Sequence, residues 1–179
     1  MAQRKNAKLA GEALWQYALG ALGRRAHSVA ELRDKLRGKA ESMAEADQVL
    51  RRLKEAGYLD DRRFAASFAE VRLTSQGLGR SRALRELRAR RVAPAVAEQA
   101  VREAYKDVDE VELIRNFLAR KFRAVRLEEH LQDPRHLAAA YRKLRLAGFS
   151  AGNSIRVLKQ YSEEADQLEE TEEPGPEEE

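Results

Sequence analysis

Apolar residues recur at helical spacing along most of the chain. In the first stripe Ala10, Leu14, Ala18 and Ala21 stand three or four positions apart, so they share one face of a helix. Eight further stripes follow, and none shows the strict alternation that is typical of a strand. They lie at residues 29–36, 46–53, 64–71, 83–87, 96–104, 111–118, 137–144 and 155–158. The pattern predicts an all-α protein with nine helices.

Polar residues and glycines mark the ends of these helices. Ser or Asp at an N-cap accepts hydrogen bonds from the first backbone amides, and glycine commonly ends a helix in the left-handed conformation. The predicted N-terminal signals are Ser28-x-x-Glu31, Ser42-x-x-Glu45, Asp109-x-x-Glu112 and Asp133-Pro134. The predicted C-terminal signals are Gly38, Gly57 and Gly148. Stripes and caps therefore predict the same boundaries.

The helices repeat in groups of three. Leu36 and Leu87 are 51 residues apart, as are Leu50 and Val101, and a 57-residue shift relates the second group to a third. A three-helix unit of this size buries little surface alone, so stacked units that share a core are expected. The predicted repeats are residues 9–58, 59–106 and 107–162, after a basic extension at 1–8, in an elongated and curved body. A loop at 123–132 is expected to lengthen the third repeat.

Charge is segregated along the chain. Residues 1–162 carry 34 basic and 20 acidic residues, a net charge of +14, whereas residues 163–179 carry ten acidic residues and no basic one. A body this basic attracts polyanions, of which nucleic acid is the commonest, although a merely soluble, charged surface is the alternative. The acidic segment has too little apolar surface to fold by itself, so a disordered tail is predicted at 163–179.

The sequence lacks the residue patterns of common enzymes and metal sites. Cysteine is absent, and His130 and His136 are six residues apart, which is not the spacing of helical metal ligands. Asp60-Asp61 stands directly before a helix, where the ordinary role is N-capping and not acid–base catalysis. No phosphate-binding glycine loop, secretory signal or long apolar run is present. The expectation is a non-enzymatic, cytoplasmic, monomeric protein without cofactor, metal or membrane contact.

Arginines are concentrated between residues 80 and 91. This run contains six arginines and one acid, Glu86. The planar guanidinium group binds phosphate oxygens in a bidentate manner, so the run is predicted to bind an anion; a solvated helix face is the alternative. Two further basic runs follow in the third repeat. The predicted nucleic-acid or filament contacts are Arg72, Arg80, Arg82, Arg85, Arg88, Arg90, Arg91, Arg120, Lys121, Arg142, Lys143 and Arg145.

Several short motifs resemble the signature of the RecX regulatory proteins. The most specific is Gly57-Tyr58-Leu59-Asp60-Asp61-x-x-Phe64-Ala65. Others are Glu31-Leu32-x-x-Lys35-Leu36, the segment from Gly79 to Leu87-Arg88, and Arg145-x-x-Gly148-Phe149-Ser150 followed by Ile155-x-x-Leu158. Together they cover about residues 12–160 in order. The Tyr58–Asp61 part is assigned to fold geometry, since it reads physically as a turn and a helix cap.

The resemblance implies a function that composition alone does not indicate. RecX proteins bind the RecA recombinase, lie along the groove of its nucleoprotein filament and limit recombinase activity in recombination, repair and the SOS response. The resemblance implies contact with RecA and with single- or double-stranded DNA regardless of sequence, first through Arg72, Arg82, Arg85 and Arg88. A general helix-turn-helix DNA-binding protein and a protein-only helical adaptor remain alternatives. The acidic tail is not part of the family pattern; it either covers the basic face or only increases solubility.

Overall fold

The computed structural model describes residues 8–168, and this part of the chain is all-helical apart from one isolated β-bridge. Leu9 and Ala40 form that bridge, and no strand is present in residues 8–168. The helices are α1 Gly11–Arg24, α2 Val29–Arg37, α3 Met43–Glu55, α4 Asp61–Thr74, α5 Arg80–Ala89, α6 Pro94–Ala104, α7 Glu110–Lys121, α8 Leu127–His130, α9 Pro134–Ala147 and α10 Ala151–Leu158. A 3-10 helix, Glu163–Leu168, follows. Apart from Ala10, which is the N-cap residue of α1, every residue of the nine predicted stripes lies in one of these helices, which confirms the predicted class.

The predicted caps explain several of the helix boundaries. Ser28 accepts from the Glu31 amide while the Glu31 carboxylate accepts from the Ser28 amide, which completes a capping box at α2. Asp133 accepts from the Arg135 amide directly before the proline that opens α9. Gly57 and Gly148 have positive φ, as predicted. Gly38 was predicted wrongly: its φ is −67°, because its amide donates back to Asp34 and Leu36 and extends the turn.

The described chain packs into two compact units, of which the first contains α1, α2 and α3. It comprises the described residues up to Phe68 together with Glu86–Ala100. Leu14, Leu32, Leu36 and Leu53 are fully buried in its core. The apolar stripes of three short helices thus become one core, which none of them could form alone.

The second unit contains α7, α8, α9 and α10 and has its own core. It comprises Ala69–Arg85 and the described residues from Val101 onward. Ile114, Leu118, Leu144, Phe149 and Leu158 are buried at its centre. The limits of the two units fall inside α4, α5 and α6. The two compact units therefore differ from the three predicted repeats, whose boundaries stay a prediction for this chain.

Two segments predicted as irregular contain helix. One turn, α8, lies within the predicted loop at 123–132, and the buried Leu131 that follows it holds this turn to the core of the second unit. The predicted disordered tail begins too early: Ala165 and Leu168 of the 3-10 helix are buried in the same core. Two apolar side chains at a three-residue spacing suffice to dock this acidic turn. The rest of the predicted tail lies outside the described residues.

A junction between two helix ends organises the second unit. The Gly79 amide, just before α5, donates to the Ala147 carbonyl at 2.9 Å, and the Ser81 amide donates to Gly148 at 3.2 Å. Helix N-termini lack acceptors for their amides and helix C-termini lack donors for their carbonyls, so each end satisfies the other. A Cβ atom at Gly79 would overlap the Gly148 carbonyl, and one at Gly148 would overlap the Arg82 backbone. Only glycine permits this approach.

Replacing Gly79 with alanine is expected to destabilise the protein by about 1–3 kcal/mol, because the added Cβ meets backbone that cannot move without breaking the junction. Urea unfolding measures the effect. Gly152→Ala is the control, since nothing lies within 4 Å of the Cβ that it would add, and it should be neutral or stabilise by up to about 1 kcal/mol. Equal stability of the Gly79→Ala protein and the wild type would contradict the packing described.

Candidate nucleic-acid interface

The twelve predicted contact residues divide between the two units and differ in their surroundings. Three of them, Arg88, Arg90 and Arg91, belong to the first unit. The other nine belong to the second unit: Arg72, Arg80, Arg82, Arg85, Arg120, Lys121, Arg142, Lys143 and Arg145.

Arg90 is a structural residue of the first unit. Its guanidinium group lies 2.9 Å from a Glu31 carboxylate oxygen, and its side chain is only 29% exposed. The same group lies over the Phe68 ring, 5.0 Å from the ring centroid. Its backbone carbonyl accepts from the Ser28 hydroxyl at 2.7 Å. These contacts connect the end of α5 to the start of α2.

Arg88 and Arg91 are also paired with carboxylates. Arg88 lies 3.1 Å from Glu98, and Arg91 forms an ion pair with Asp34. The hydrogen bond from Arg91 lowers the pKa of Asp34, and the same contact raises the pKa of Arg91. Arg91 has a φ of 57°, a left-handed conformation that ends α5 sharply. The three arginines of the first unit have local partners for their charge, so they are weaker candidates for phosphate contact.

Glu31 is the acceptor at the centre of this cluster. It accepts from the Ser28 amide at 3.1 Å and forms ion pairs with Arg25 and Arg90. Burial by itself would raise the pKa of Glu31, but the hydrogen bonds from Arg25 and Ser28 and the charge of Arg90 outweigh it, so the pKa is lowered. The folded state thus stabilises the ionised form of Glu31.

Three arginines of the second unit gather around the carbonyl end of α9. Arg82 and Arg85 both donate to the Leu146 carbonyl, at 3.1 and 3.3 Å, and Arg145 donates to Phe149 at 2.6 Å. The carbonyls of a helix C-terminus carry partial negative charge, which attracts guanidinium groups. The junction between α5 and α9 therefore brings arginines from two helices to one place.

A cavity of about 420 Å³ opens beside this cluster. Arg85 of α5 and Arg142 and Arg145 of α9 line it together with apolar surface from Tyr141, Leu146 and Leu168. Apolar walls lower the local dielectric constant and strengthen the attraction between guanidinium groups and an anion. The cavity has the composition of a site for an anion with some apolar character.

The remaining predicted contact residues of the second unit lie on aromatic rings or at helix ends. Lys143 lies 4.7 Å from the centroid of the Phe122 ring, and Lys121 lies 5.7 Å from that of Phe117. Arg120 also lies near the Phe117 ring and donates to the Gln76 carbonyl. Arg80 is exposed as the first residue of α5, and Arg72 is half-buried in α4.

The long-range contacts of two carboxylates, Asp61 and Glu110, were not identified from the sequence. Asp61 accepts from the Val29 amide at 2.8 Å, so the second aspartate of the Asp60-Asp61 pair holds the start of α2, while Asp60 caps α4. Glu110 accepts from the Ser150 amide and hydroxyl and from Asn153. Burial tends to raise the pKa of Glu110, but these hydrogen bonds and the Arg145 charge lower it overall. No periodicity predicts such contacts, because both partners are polar and distant in sequence.

Other chemistries find no support in the described residues. Within residues 8–168 no group of three or more His, Asp or Glu side chains is placed to hold a metal ion. His130 and His136 stack with ring centroids 4.0 Å apart, a contact that the six-residue spacing did not suggest. No helix of the described part is long and apolar enough to cross a membrane.

Comparison with known proteins relates both the sequence and the fold to one family. The family model described as RecX, first three-helix domain, matches residues 15–53, and RecX, second three-helix domain, matches residues 60–101. Regulatory protein RecX of Pseudomonas putida is 38% identical over 146 residues, which cover 82% of this chain and 89% of that protein. Its counterpart in Streptomyces lividans is 35% identical over 134 residues, covering 75% of this chain and 69% of that protein.

Solved structures agree in fold. A crystal structure of RecX from Lactobacillus salivarius superposes with a TM-score of 0.62 at 16% identity, covering 84% of this chain and 95% of that one. At this identity the likeness shows only the fold. The family assignment rests on the sequence relatives.

Replacing Glu31 with glutamine should lower the free energy of unfolding at pH 7 by about 1–3 kcal/mol, since it removes charge-assisted hydrogen bonds to three donors. A lowered pKa contributes stability above the unfolded-state value, near 4.3, and this stability disappears as the pH falls through the folded-state pKa. The difference from wild type should therefore shrink below about pH 4.

Urea unfolding at pH 7 and at acidic pH measures this difference. Glu41→Gln, which changes an exposed glutamate of the same unit, serves as the control and should cost less than about 0.5 kcal/mol. A pH-independent loss in the Glu31→Gln protein would show that the charge of Glu31 is not what stabilises the cluster.

Proposed function

The chain belongs to the RecX family of regulatory proteins, and we propose that it binds the RecA nucleoprotein filament and DNA and thereby restrains recombinase activity. It would do so in homologous recombination, DNA repair and the SOS response, in the cytoplasm where the filament forms. Membership in a family of regulatory proteins agrees with the prediction that this protein acts by binding and not by turnover.

The observation that carries this proposal is the arginine cluster around the end of α9. Arg82, Arg85 and Arg145 are held by backbone carbonyls, and Arg142 stands beside them at the cavity. Guanidinium groups held in a fixed array lose little conformational entropy when they engage phosphates or carboxylates. A polyanionic filament is the kind of target that such an array fits.

The proposed contacts would position the protein without reading base sequence. Phosphate contacts carry no direct sequence information, and each neutralised phosphate releases counterions. Affinity for single-stranded DNA should therefore fall steeply with salt. A protein-only adaptor would not show this dependence, and a helix-turn-helix protein would prefer particular duplex sequences.

The first experiment is RecA-dependent ATP hydrolysis on single-stranded DNA with this protein added in substoichiometric amounts. Inhibition well below saturation of the DNA is expected if the filament is the target. Inhibition only when the protein covers the strand would favour the general DNA-binding alternative. No inhibition at any concentration would reject the proposal.

The variant Arg85→Gln with Arg142→Gln should bind single-stranded DNA about tenfold or more weakly, because two phosphate contacts are lost. For the same reason, the slope of log affinity against log salt concentration should become shallower by about 1 to 2. Filter binding at several salt concentrations measures both. Arg51→Gln with Arg102→Gln is the matched control: both residues are exposed, and the change in net charge is the same. Equal losses in the two variants would mean that overall charge, and not this cluster, attracts the DNA.

A further inference from the structure

One aromatic side chain of the first unit points into solvent. Tyr58 is 56% exposed, whereas the other ten aromatic residues within residues 8–168 are buried or half-buried. Leu59, the next residue, is buried in the core of the first unit. The turn after α3 therefore directs one side chain inward and its neighbour outward. Forming this turn uses the backbone of Tyr58, so its ring is left for another role.

The structure around Tyr58 holds this ring in place. Gly57 has a φ of 72°, and the Tyr58 amide donates to the Leu53 carbonyl at 2.9 Å, which closes the end of α3. The ring lies edge-on to the buried Trp15, with centroids 6.2 Å apart and planes at 74°. A ring that is already fixed loses little conformational entropy when it binds a partner.

A guanidinium group lies on the same aromatic support. Arg52 is 4.0 Å from the centroid of the Trp15 ring. It also forms an ion pair with Glu12 at 3.4 Å, in which both side chains are more than half exposed. Such exposed ion pairs are weak, so an external anion can compete with Glu12 for Arg52.

A second guanidinium group lies beside the residue that precedes Tyr58. Arg63 is exposed and donates to the Gly57 carbonyl at 2.6 Å. Asp60, the nearest carboxylate along the chain, accepts instead from the backbone amides of Arg62 and Arg63 at the start of α4. The exposed ring and two cations thus occupy neighbouring positions at the junction of α3 and α4.

We propose that Tyr58 is a stacking site for an unpaired base of single-stranded DNA, and that Arg52 and Arg63 bind phosphates next to that base. Aromatic rings bind any base through its π face, while adjacent cations bind the backbone. The site belongs to the first unit, whereas Arg85 and Arg142 belong to the second. The proposal rests on the DNA contact proposed above and adds a contact with a base to the contacts with phosphates.

An isolated ring beside cations fits a nucleic acid better than a protein surface. Within the described residues of the first unit, the exposed large apolar side chains are those of Tyr58 and Met43. Met43 begins α3, which ends twelve residues later, so the length of the helix, about 18 Å, separates Met43 from the turn. The centre of a protein interface is instead a cluster of apolar anchors.

The test compares the affinity of the full-length protein for oligo(dT) and for an abasic strand of the same length and charge. The wild type should bind oligo(dT) about tenfold more tightly, because stacking of one base contributes a factor of this order. Tyr58→Ala should bind both strands equally, whereas Tyr58→Phe, which keeps the ring, should retain the preference. Equal affinity of the wild type for both strands, no binding of oligo(dT) at low salt, or an undiminished preference in Tyr58→Ala would overturn the proposal.

Further variants separate stacking from a general apolar contact. Tyr58→Leu keeps an apolar side chain without a π face and should lose the preference. Met43→Ala removes the other exposed apolar side chain of this unit and should keep it. Circular dichroism checks the helicity of each variant. If the Tyr58 variants do not fold, photocrosslinking of the wild type to a strand that contains iodouracil decides: a crosslink at Tyr58 supports the site, and crosslinks only at other residues overturn it.

The same assays separate this proposal from the proposed function. If both strands bind equally and their binding depends on Arg85 and Arg142, the base site fails and the phosphate contact stands. If the preference for oligo(dT) depends on Tyr58 but Arg85→Gln with Arg142→Gln binds as the wild type does, the base site stands and the arginine cluster fails. Equal binding of both strands, combined with weaker inhibition of RecA by Tyr58→Ala, would assign the ring to a protein partner and overturn the base site.

Discussion

The docking of the α5 N-terminus on the α9 C-terminus is the contact on which the second unit depends. Amides at the start of α5 donate to carbonyls at the end of α9, so two sets of groups without intrahelical partners satisfy each other. The approach requires glycine at both Gly79 and Gly148. These two residues belong to separate RecX-like motifs, so both motifs contribute to the same close approach of α5 and α9. The same contact brings Arg82, Arg85 and Arg145 to backbone carbonyls at the end of α9.

Arginine serves two purposes in this protein, and the partner distinguishes them. Where the partner is a carboxylate, as for Arg90 with Glu31, the ion pair fixes one element to another and the charges cancel. Where the partner is a backbone carbonyl, as for Arg85 with Leu146, the side chain is positioned but its charge persists. Only the second arrangement leaves a field that attracts a polyanion. The proposed filament contact depends on it.

The predictions succeeded where neighbours in sequence are also neighbours in space. Leu32 and Leu36 share a helix face by spacing alone, and the Ser28 capping box closes over three residues, so both could be inferred from local pattern. Gly38 and Leu168 were misjudged because packing decides their roles. Gly38 continues a turn instead of reversing it, and Leu168 docks an acidic segment that composition alone would leave unfolded. The Asp61–Val29 hydrogen bond had no local signal at all.

The sequence by itself determined the helical class, several helix ends and the excess of positive charge, because these depend on local spacing, local capping and composition, and its short motifs resembled the RecX family. It could not determine which arginines share a surface. Arg85 and Arg142 are distant along the chain and meet only because two glycines let α5 and α9 approach, while Arg88 and Arg91, close to Arg85 in sequence, are paired with Glu98 and Asp34. Tertiary structure decided this, since the energy of a charge depends on its neighbours in space and not on its position in the chain.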